Sequence, residues 1–288
     1  MARAVSYNCI VEAVERLCIE AAHRLRPDVL AALEAALRRE SNPRALEILA
    51  ILLENARIAS SQMVPLCQDT GLAVVFVDMG TEVLVSAPAD RPGSTILDAI
   101  QDGVRLGYQR GLLRKSVVAD PLYDRRNTGT NTPAIIHLTV MPGDKVKISL
   151  MAKGTGCENK SQFKVFNPTV QTSQIVEWIV SAASAAGADA CPPLIVGVGI
   201  GGDMEQCCLM AKKALLRPLD QPNSDPRYAD LEQQLLTLIN DTGLGPQGMG
   251  GDTTALAVLV EAGPCHIASL PVAVNIECHS HRHASCTI

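Results

Sequence analysis

The run Leu72-Ala-Val-Val-Phe-Val-Asp78, followed after Gly80 by Thr81-Glu-Val-Leu-Val-Ser86, marks the change from helix to sheet in this chain. Apolar and β-branched residues that end at a glycine are typical of strands. Each run therefore predicts a strand.

Residues 6–58, ahead of these strands, predict helices because apolar side chains recur there at helical spacing. Pro27, Asn42 and Pro43 divide the segment into about three helices. We expect one domain over residues 1–288, in which a helical N-terminal layer (1–60) packs on an α/β core (61–288).

Helices and strands continue beyond this region. A helix is predicted over 94–113 with Ser94 as its N-cap, and strands over 135–140 and 146–151 predict a hairpin around the intervening Pro-Gly-Asp turn. The fold class is α+β: an N-terminal helical layer packed on a mixed β-sheet unit, with glycine-rich loops that form a site. Further helices are predicted over 172–186, 204–216 and 230–240, and further strands over 194–198, 253–260 and 267–276.

Composition excludes several classes of function. The net charge is −5 and aromatic residues make up 3% of the chain, so neither a basic patch nor a base-stacking platform is expected and nucleic-acid binding is not predicted. No apolar run reaches the ~18 residues of a membrane span, and the first residues lack the basic and apolar regions of a secretion signal. A cytoplasmic location without a membrane partner is expected.

Ten cysteines are many for a chain expected in the cytoplasm, where disulfides rarely persist. Cys9, Cys18, Cys207 and Cys208 fall on predicted helices and are expected to be ordinary core or surface residues. Reactive, metal-bound and buried thiols stay open for the others.

Five short segments combine glycine or cysteine with polar residues. Glycine at this density indicates backbone at unusual angles or close to a ligand, and such loops suit a small anion; tight turns of an ordinary fold are the alternative. The segments are Cys67-Gln-Asp-Thr-Gly71, Lys153-Gly-Thr-Gly-Cys-Glu-Asn-Lys160, Cys191-Pro-Pro193, Gly245–Thr254 and His266–His279.

One glycine pattern suggests a dinucleotide site. Gly197, Gly199 and Gly202 satisfy G-x-G-x-x-G between a predicted strand and a predicted helix, and Asp220 follows at about the required distance. However, Leu216-Arg-Pro-Leu-Asp220 contains a proline and lacks a β-branched run. Close packing of helix on strand, or approach to a cofactor, explains these glycines better.

Taken together, the segments resemble the cluster-binding domain of class I iron–sulfur fumarate hydratases and the alpha subunits of two-subunit L-tartrate dehydratases. The resemblance runs from about Val64 to His283. The motifs that carry it, in order, are Cys-Gln-Asp-Thr-Gly (67–71), Asn-Thr-Gly-Thr-Asn-x-Pro-Ala (127–134), Lys-Gly-x-Gly-x-Glu-Asn-Lys-Ser (153–161), Cys-Pro-Pro (191–193) and Gly-Gly-Asp-Thr-Thr-Ala (250–255).

The resemblance implies a [4Fe–4S] cluster bound by Cys67, Cys191 and Cys278. These cysteines are far apart in the chain, unlike the compact motifs of electron-transfer ferredoxins. Three thiolates leave one iron open, and an open iron is a Lewis acid. Cys157 would lie near the site without being a ligand.

The resemblance also implies roles in binding and proton transfer. Asp69 and His266 would move protons during hydration. A second set of residues would bind the carboxylates of a small dicarboxylic acid. Its arginine is Arg114, and Arg105 and Arg110 are the alternatives to it. That set is Gln68, Arg114, Gly154, Thr155 and Gly156.

His279, His281 and His283 alternate with other residues near the end of the sequence. Alternation would place them on one face of a strand, where a zinc site is conceivable. Polarity at the edge of the substrate site or at an interface is the plainer interpretation.

The resemblance finally implies a partner. Single-chain relatives carry a second domain, so we expect a separate beta subunit that completes the active site, in a hetero-oligomer such as a dimer of alpha–beta pairs. The expected function is an oxygen-sensitive hydro-lyase of the tricarboxylic acid cycle that interconverts fumarate and L-malate. Alternatives are an L-tartrate dehydratase alpha subunit, a non-catalytic iron–sulfur sensor and a metal-stabilised interaction module.

Overall fold

The computed structural model describes residues 2–288. Contacts group the chain into two compact units. Unit 1 contains the residues up to Arg26, Ile58–Gly154 and Arg282–Ile288, and unit 2 contains Pro27–Arg57 and Thr155–His281. Among the described residues, the elements in chain order are β1 (Arg3–Ser6), α1 (Tyr7–His23), α2 (Pro27–Arg39), α3 (Pro43–Gln62), β2 (Leu72–Gly80), β3 (Val83–Ser86), α4 (Ile96–Arg110), β4 (Ile135–Met141), β5 (Val146–Lys153), α5 (Thr155–Glu158), β6 (Gln162–Phe166), α6 (Thr172–Ala186), β7 (Leu194–Gly202), α7 (Met204–Ala214), α8 (Pro226–Asn240), β8 (Ala255–Cys265), β9 (Leu270–Glu277) and β10 (His283–Thr287).

Unit 1 is built on a four-stranded sheet in the order β10-β5-β2-β4. Strand β5 is antiparallel to both of its neighbours, and β2 is parallel to β4. Alternate residues of β2 and β5, such as Val75 and Ile148, enter a core shared with α1 and α4, as the period of a strand requires. The two helices pack closely, because a Cβ at Gly107 would lie 2.7 Å from that of Cys18.

Unit 2 is built on a second four-stranded sheet, in the order β6-β9-β7-β8. Strand β7 is parallel to β8 and antiparallel to β9. Val196 and Val198 of β7 enter a core with α6 and α8, while the residues between them face α7. A Cβ at Gly197 or at Gly199 would lie 2.1 Å from a carbonyl oxygen of α7.

This contact explains the glycine pattern of β7 by close packing of helix on strand. Asp220 lies in a turn rather than on a second strand, so the dinucleotide arrangement is absent from this part of the described chain. Among residues 2–288, no helix is long and apolar enough to cross a membrane.

The α+β class is confirmed, as are three N-terminal helices with breaks near Pro27 and Pro43. Helix α1 packs in unit 1, whereas α2 contacts β8 in unit 2. The single domain with a helical layer over 1–60 stays a prediction.

The predicted hairpin is wrong. Both strands form, but β2 lies between β4 and β5 and pairs with each of them. The intervening turn bonds elsewhere, since Gly80 N donates to Lys145 O (2.8 Å) and Glu82 N donates to Gly143 O (2.9 Å). The turn therefore packs against the end of β2 instead of closing a hairpin.

The predicted cap of α4 is wrong by one residue. Thr95 is the N-cap, and its backbone N–H donates to the carboxylate of Asp98 at 2.8 Å. The Thr95 hydroxyl accepts from Asp98 N in return, which is a capping box. Strands β1, β6 and β10 have no counterpart in the sequence predictions.

We expect Gly199→Ala to lower the free energy of unfolding by about 3 kcal/mol, because the new methyl group overlaps a backbone carbonyl that cannot move alone. Gly93→Ala is the control: its φ is +83° but nothing lies within 4 Å of the new Cβ. Backbone strain alone should cost about 1 kcal/mol there. Urea unfolding measures both, and equal losses would contradict the packing argument.

Candidate active site

The segment Cys67–Gly71, here called the Asp69 turn, leads into β2 in unit 1. Cys67 and Asp69 are half-buried and Gln68 is exposed. A carboxylate oxygen of Asp69 accepts a hydrogen bond from Gly71 N at 3.0 Å, which is the local turn that aspartate favours. Gln68 and Asp69 thus project from a short, locally closed loop.

The carbonyl groups of the Asp69 turn are held by side chains from three other segments. Arg282 donates to Asp69 O. The Tyr108 hydroxyl donates to Thr70 O (2.8 Å) and lies 3.0 Å from Gly71 O. Burial raises the pKa of Tyr108, which keeps this hydroxyl protonated and available as a donor. The orientation of the turn is therefore fixed.

Arg114 lies beside the Asp69 turn, since Thr70 Oγ1 donates to Arg114 O at 2.8 Å. The Arg114 side chain is exposed and, within residues 2–288, its guanidinium forms no ion pair. The rival arginines are occupied: Arg105 lies 3.3 Å from the carboxylate of Asp102, and Arg110 pairs with a glutamate of α1 at 2.8 Å. Of the three arginines, only Arg114 has no ion pair within residues 2–288.

Lys153 and Gly154 end β5 next to the Asp69 turn. The register places Lys153 opposite Leu72, the first residue of β2. Its side chain is 2% exposed, and a buried ammonium group is costly unless its surroundings are polar. Together with Arg282, it adds a second buried cation to this part of unit 1.

In unit 2, Cys191 and Cys278 lie at the same end of the sheet. Cys191 precedes β7 and Cys278 follows β9, and these antiparallel strands place Ile195 opposite Glu277. The ring Nδ1 of His279 lies 3.0 Å from Cys191 O. Both cysteines are half-buried, so two thiols stand at adjacent chain segments.

Gln247 supports this end of the sheet. Its side-chain amide donates to Pro192 O at 2.7 Å and lies 3.3 Å from Nδ1 of His279. Gln247 thereby holds the residues that follow Cys191. It shapes the cysteine segments without offering a ligand of its own.

A buried hydroxyl at the same end fits a bound group that accepts hydrogen bonds. Thr253 is 0% exposed, and among the described residues its Oγ1 has no hydrogen-bond partner. Thr253 lies two residues before Ala255, which pairs with Leu194 at the start of β7. Since an unsatisfied buried hydroxyl is costly, an acceptor from outside the chain suits the site, and two thiols suit iron and sulfide.

Cys157 is buried in the unit 2 core beside residues of α6, an environment that suits a packed thiol. Thr155 and Gly156, just before it, are exposed at the start of α5. The rest of the motif anchors the fold, because Glu158 pairs with Lys212 and accepts from the Asn275 side chain at 3.1 Å.

The glycine-rich segment 245–254 is largely structural. The carboxylate of Glu40 accepts hydrogen bonds from Asp252 N at 3.0 Å and from the amides of Ser41 and Asn42. Gly245 N donates to the Thr254 hydroxyl at 3.1 Å. These bonds occupy the amides that an anion would need, so the tight-turn alternative holds here.

His266 lies away from the two cysteines of its unit. It is exposed in the loop before β9, whereas Cys278 follows the last residue of that strand. Eight strand residues at ~3.3 Å each separate the two ends by about 25 Å. Unit 2 therefore does not bring His266 together with Cys191 and Cys278.

The alternating histidines do not share a strand face. Residues 279 and 280 form a turn, and β10 begins only at His283. His281 is buried and its Nδ1 lies 2.9 Å from the carboxylate of Glu277, while His279 contacts Cys191 O. The chain bends directly after Cys278, so the shared strand face on which the zinc alternative depended does not form.

A family model described as Fumarate hydratase (Fumerase) matches residues 11–287. The chain belongs to this family. The "Putative L(+)-tartrate dehydratase subunit alpha" of Methanocaldococcus jannaschii is 37% identical over 278 residues, 96% of each chain. The L(+)-tartrate dehydratase subunits alpha of Escherichia coli strains UTI89 and K12 are 28% and 27% identical, over 96% of this chain and 90% of theirs. These matches make the chain a hydro-lyase.

In this member of the fumarate hydratase family, the sequence left several supporting residues without a role. Tyr108, Asn131, Lys153 and Arg282 are all buried around the Asp69 turn. A signal was available, because Asn131 and Lys153 belong to the recognised motifs. For Tyr108, an apparently ordinary helix residue, no local pattern indicates the contact.

We expect Glu40→Gln to destabilise this fumarate hydratase family chain by about 1–3 kcal/mol, because an amide offers one acceptor oxygen where the carboxylate uses two. Glu47→Gln, an exposed change on α3, is the matched control and should cost almost nothing. Urea unfolding compares the two. Equal stability would show that the Glu40 bonds do not hold the 245–254 segment.

Proposed function

We propose that this hydro-lyase is the iron–sulfur alpha subunit of a two-subunit enzyme that interconverts fumarate and L-malate. The observation that carries the proposal is that Cys191, Cys278 and the buried Thr253 hydroxyl lie at the same end of the unit 2 sheet. Cys67, on the Asp69 turn, is the third ligand in this proposal.

The three cysteines would hold a [4Fe–4S] cluster as thiolates. When bound, such a cluster supplies an open iron that acts as a Lewis acid toward a hydroxyl or carboxylate of the substrate. Cys157 has no part in this set, because its thiol packs in the core.

The substrate is a small dicarboxylate in this proposal. Arg114 offers a bidentate grip on one carboxylate, and its guanidinium has no ion pair with residues 2–288. Gln68 is exposed on the neighbouring turn. The remaining members of the binding set are backbone amides of Gly154, Thr155 and Gly156.

Asp69 is the proposed proton-transfer group of this chain. Its neighbours in sequence are Gln68 and Thr70, and the fixed turn holds its carboxylate in place. Strand β9, about 25 Å long, separates His266 from Cys278. It enters the proposal only in a site that another chain helps to form.

The partner in this proposal is a separate beta subunit, and its support is that the relatives are named alpha subunits. A dimer of alpha–beta pairs, sensitivity to oxygen and a place in the tricarboxylic acid cycle belong to the same proposal. A cytoplasmic location belongs to it as well.

L(+)-tartrate dehydration is the second candidate, and one observation favours it: the relatives at 27–37% identity are named tartrate dehydratase subunits. Two sequence motifs, Glu158-Asn-Lys-Ser161 and Gly250–Ala255, look closer to the fumarate hydratase pattern. Glu158 pairs with Lys212 and Asp252 N donates to Glu40, so these two residues hold the fold of unit 2.

The cluster is tested by anaerobic reconstitution of single variants. Cys67→Ser, Cys191→Ser and Cys278→Ser should each abolish a stable cluster, because an alcohol is a poor iron ligand compared with a thiolate. Cys157→Ser should keep full iron and sulfide content. Iron and sulfide analysis with absorbance spectra is the measurement, and a full cluster in any of the first three variants would remove that cysteine from the set.

Activity is tested on the chain purified anaerobically with a candidate beta subunit. Fumarate hydration and L(+)-tartrate dehydration are measured side by side, and the higher kcat/KM names the substrate.

Asp69→Asn should lower kcat by about 10²–10⁴-fold, since asparagine keeps the bond from Gly71 N but moves no proton. Cluster content without turnover of any dicarboxylate would favour the sensor, and zinc without sulfide would favour the interaction module.

A further inference from the structure

We propose that Asn131 is a positioning residue that sets the Asp69 turn and the Arg114 segment relative to each other. The proposal rests on the proposed function, because it assigns Asn131 to the same site. Asn131 itself would touch no substrate.

Asn131 bridges the two segments with one carboxamide. Its Oδ1 accepts from Ser116 N at 2.7 Å, and its Nδ2 donates to Gly71 O at 3.2 Å. Ser116 is two residues beyond Arg114, and Gly71 is two residues beyond Asp69. The bridge therefore joins the backbone immediately behind both functional side chains.

The chemistry of the bridge requires a carboxamide. One partner is an N–H group and the other is a carbonyl, so the side chain must accept at one end and donate at the other. Aspartate keeps the bond from Ser116 N but places an acceptor against Gly71 O. Asn131 is 0% exposed, so water cannot replace the lost donor, and the repulsion acts at low dielectric.

The surrounding bonds show why the loss should loosen the site without unfolding it. Gly71 O still contacts the Tyr108 hydroxyl, and Thr70 Oγ1 still donates to Arg114 O. The φ of Asn131 is +59°, a left-handed conformation that asparagine, aspartate and glycine adopt more readily than other residues. Asn131→Asp and Asn131→Gly are therefore the variants that probe the bridge with little added backbone strain.

Unit 2 offers a matched control. Asn223 also bridges two segments, since its Nδ2 donates to Val260 O at 2.7 Å and its Oδ1 accepts from Asp225 N at 2.9 Å. It belongs to none of the proposed site segments. Asn223→Asp makes the same chemical change with the same kind of partners.

The kinetic test uses the alpha–beta complex with its cluster. We expect Asn131→Asp to lower kcat for the better dicarboxylate by roughly 10–100-fold, because a displacement near 1 Å costs about that much. Cluster content should not change. In a double-mutant cycle with Arg114→Lys, the two losses should be less than additive if Asn131 acts through the Arg114 segment.

Hydrogen exchange tests the bridge without turnover. In Asn131→Gly, peptides covering 66–74 and 112–120 should both exchange faster, whereas Asn223→Asp should leave them unchanged. If only one peptide or neither responds, the bridge is wrong. If both respond but Asn131→Asp keeps kcat and KM within twofold, Asn131 is structural and the proposal fails. An inactive unaltered complex would overturn the proposed function, and the two peptides would still decide whether the bridge exists.

Discussion

The antiparallel pairing of β7 with β9 is the interaction on which the candidate site of unit 2 depends. It brings the segment before one strand and the residue after the other to the same end of the sheet, so Cys191 and Cys278 lie at one end although 87 positions of sequence, 278 minus 191, separate them. The register cannot slip by one residue. A slip would turn Val196 and Val198 toward α7, where Gly197 and Gly199 leave no room for a side chain.

In unit 1, the main structural feature of the candidate site is the set of hydrogen bonds that holds the Asp69 turn. Side chains of Arg282, Tyr108 and Asn131 donate to carbonyl groups of the turn. The Thr70 hydroxyl of the turn donates to Arg114 O. Because the donors behind the turn are buried, water competes poorly for these bonds. The backbone of the turn is thereby held in place, while the Gln68 and Arg114 side chains are exposed.

The sequence predicted local features well and pairings poorly. Helix breaks at Pro27 and Pro43, and the glycines of β7, follow from local chemistry and were confirmed. The hairpin failed because β2, some 60 residues earlier, competes for both of its strands. The ion pairs that hold Arg105 and Arg110 are a property of the folded chain, and spacing along the sequence does not reveal them.

The route of the chain through unit 1 has a consequence for its synthesis. Strand β10 completes the unit 1 sheet by pairing with β5, yet it follows the whole of unit 2 in the sequence. A ribosome therefore delivers all of unit 2 before the edge of the earlier sheet can close. The part of the protein that begins first is finished last, and until then β5 exposes an open edge that chaperones, or a neighbouring nascent chain, can reach.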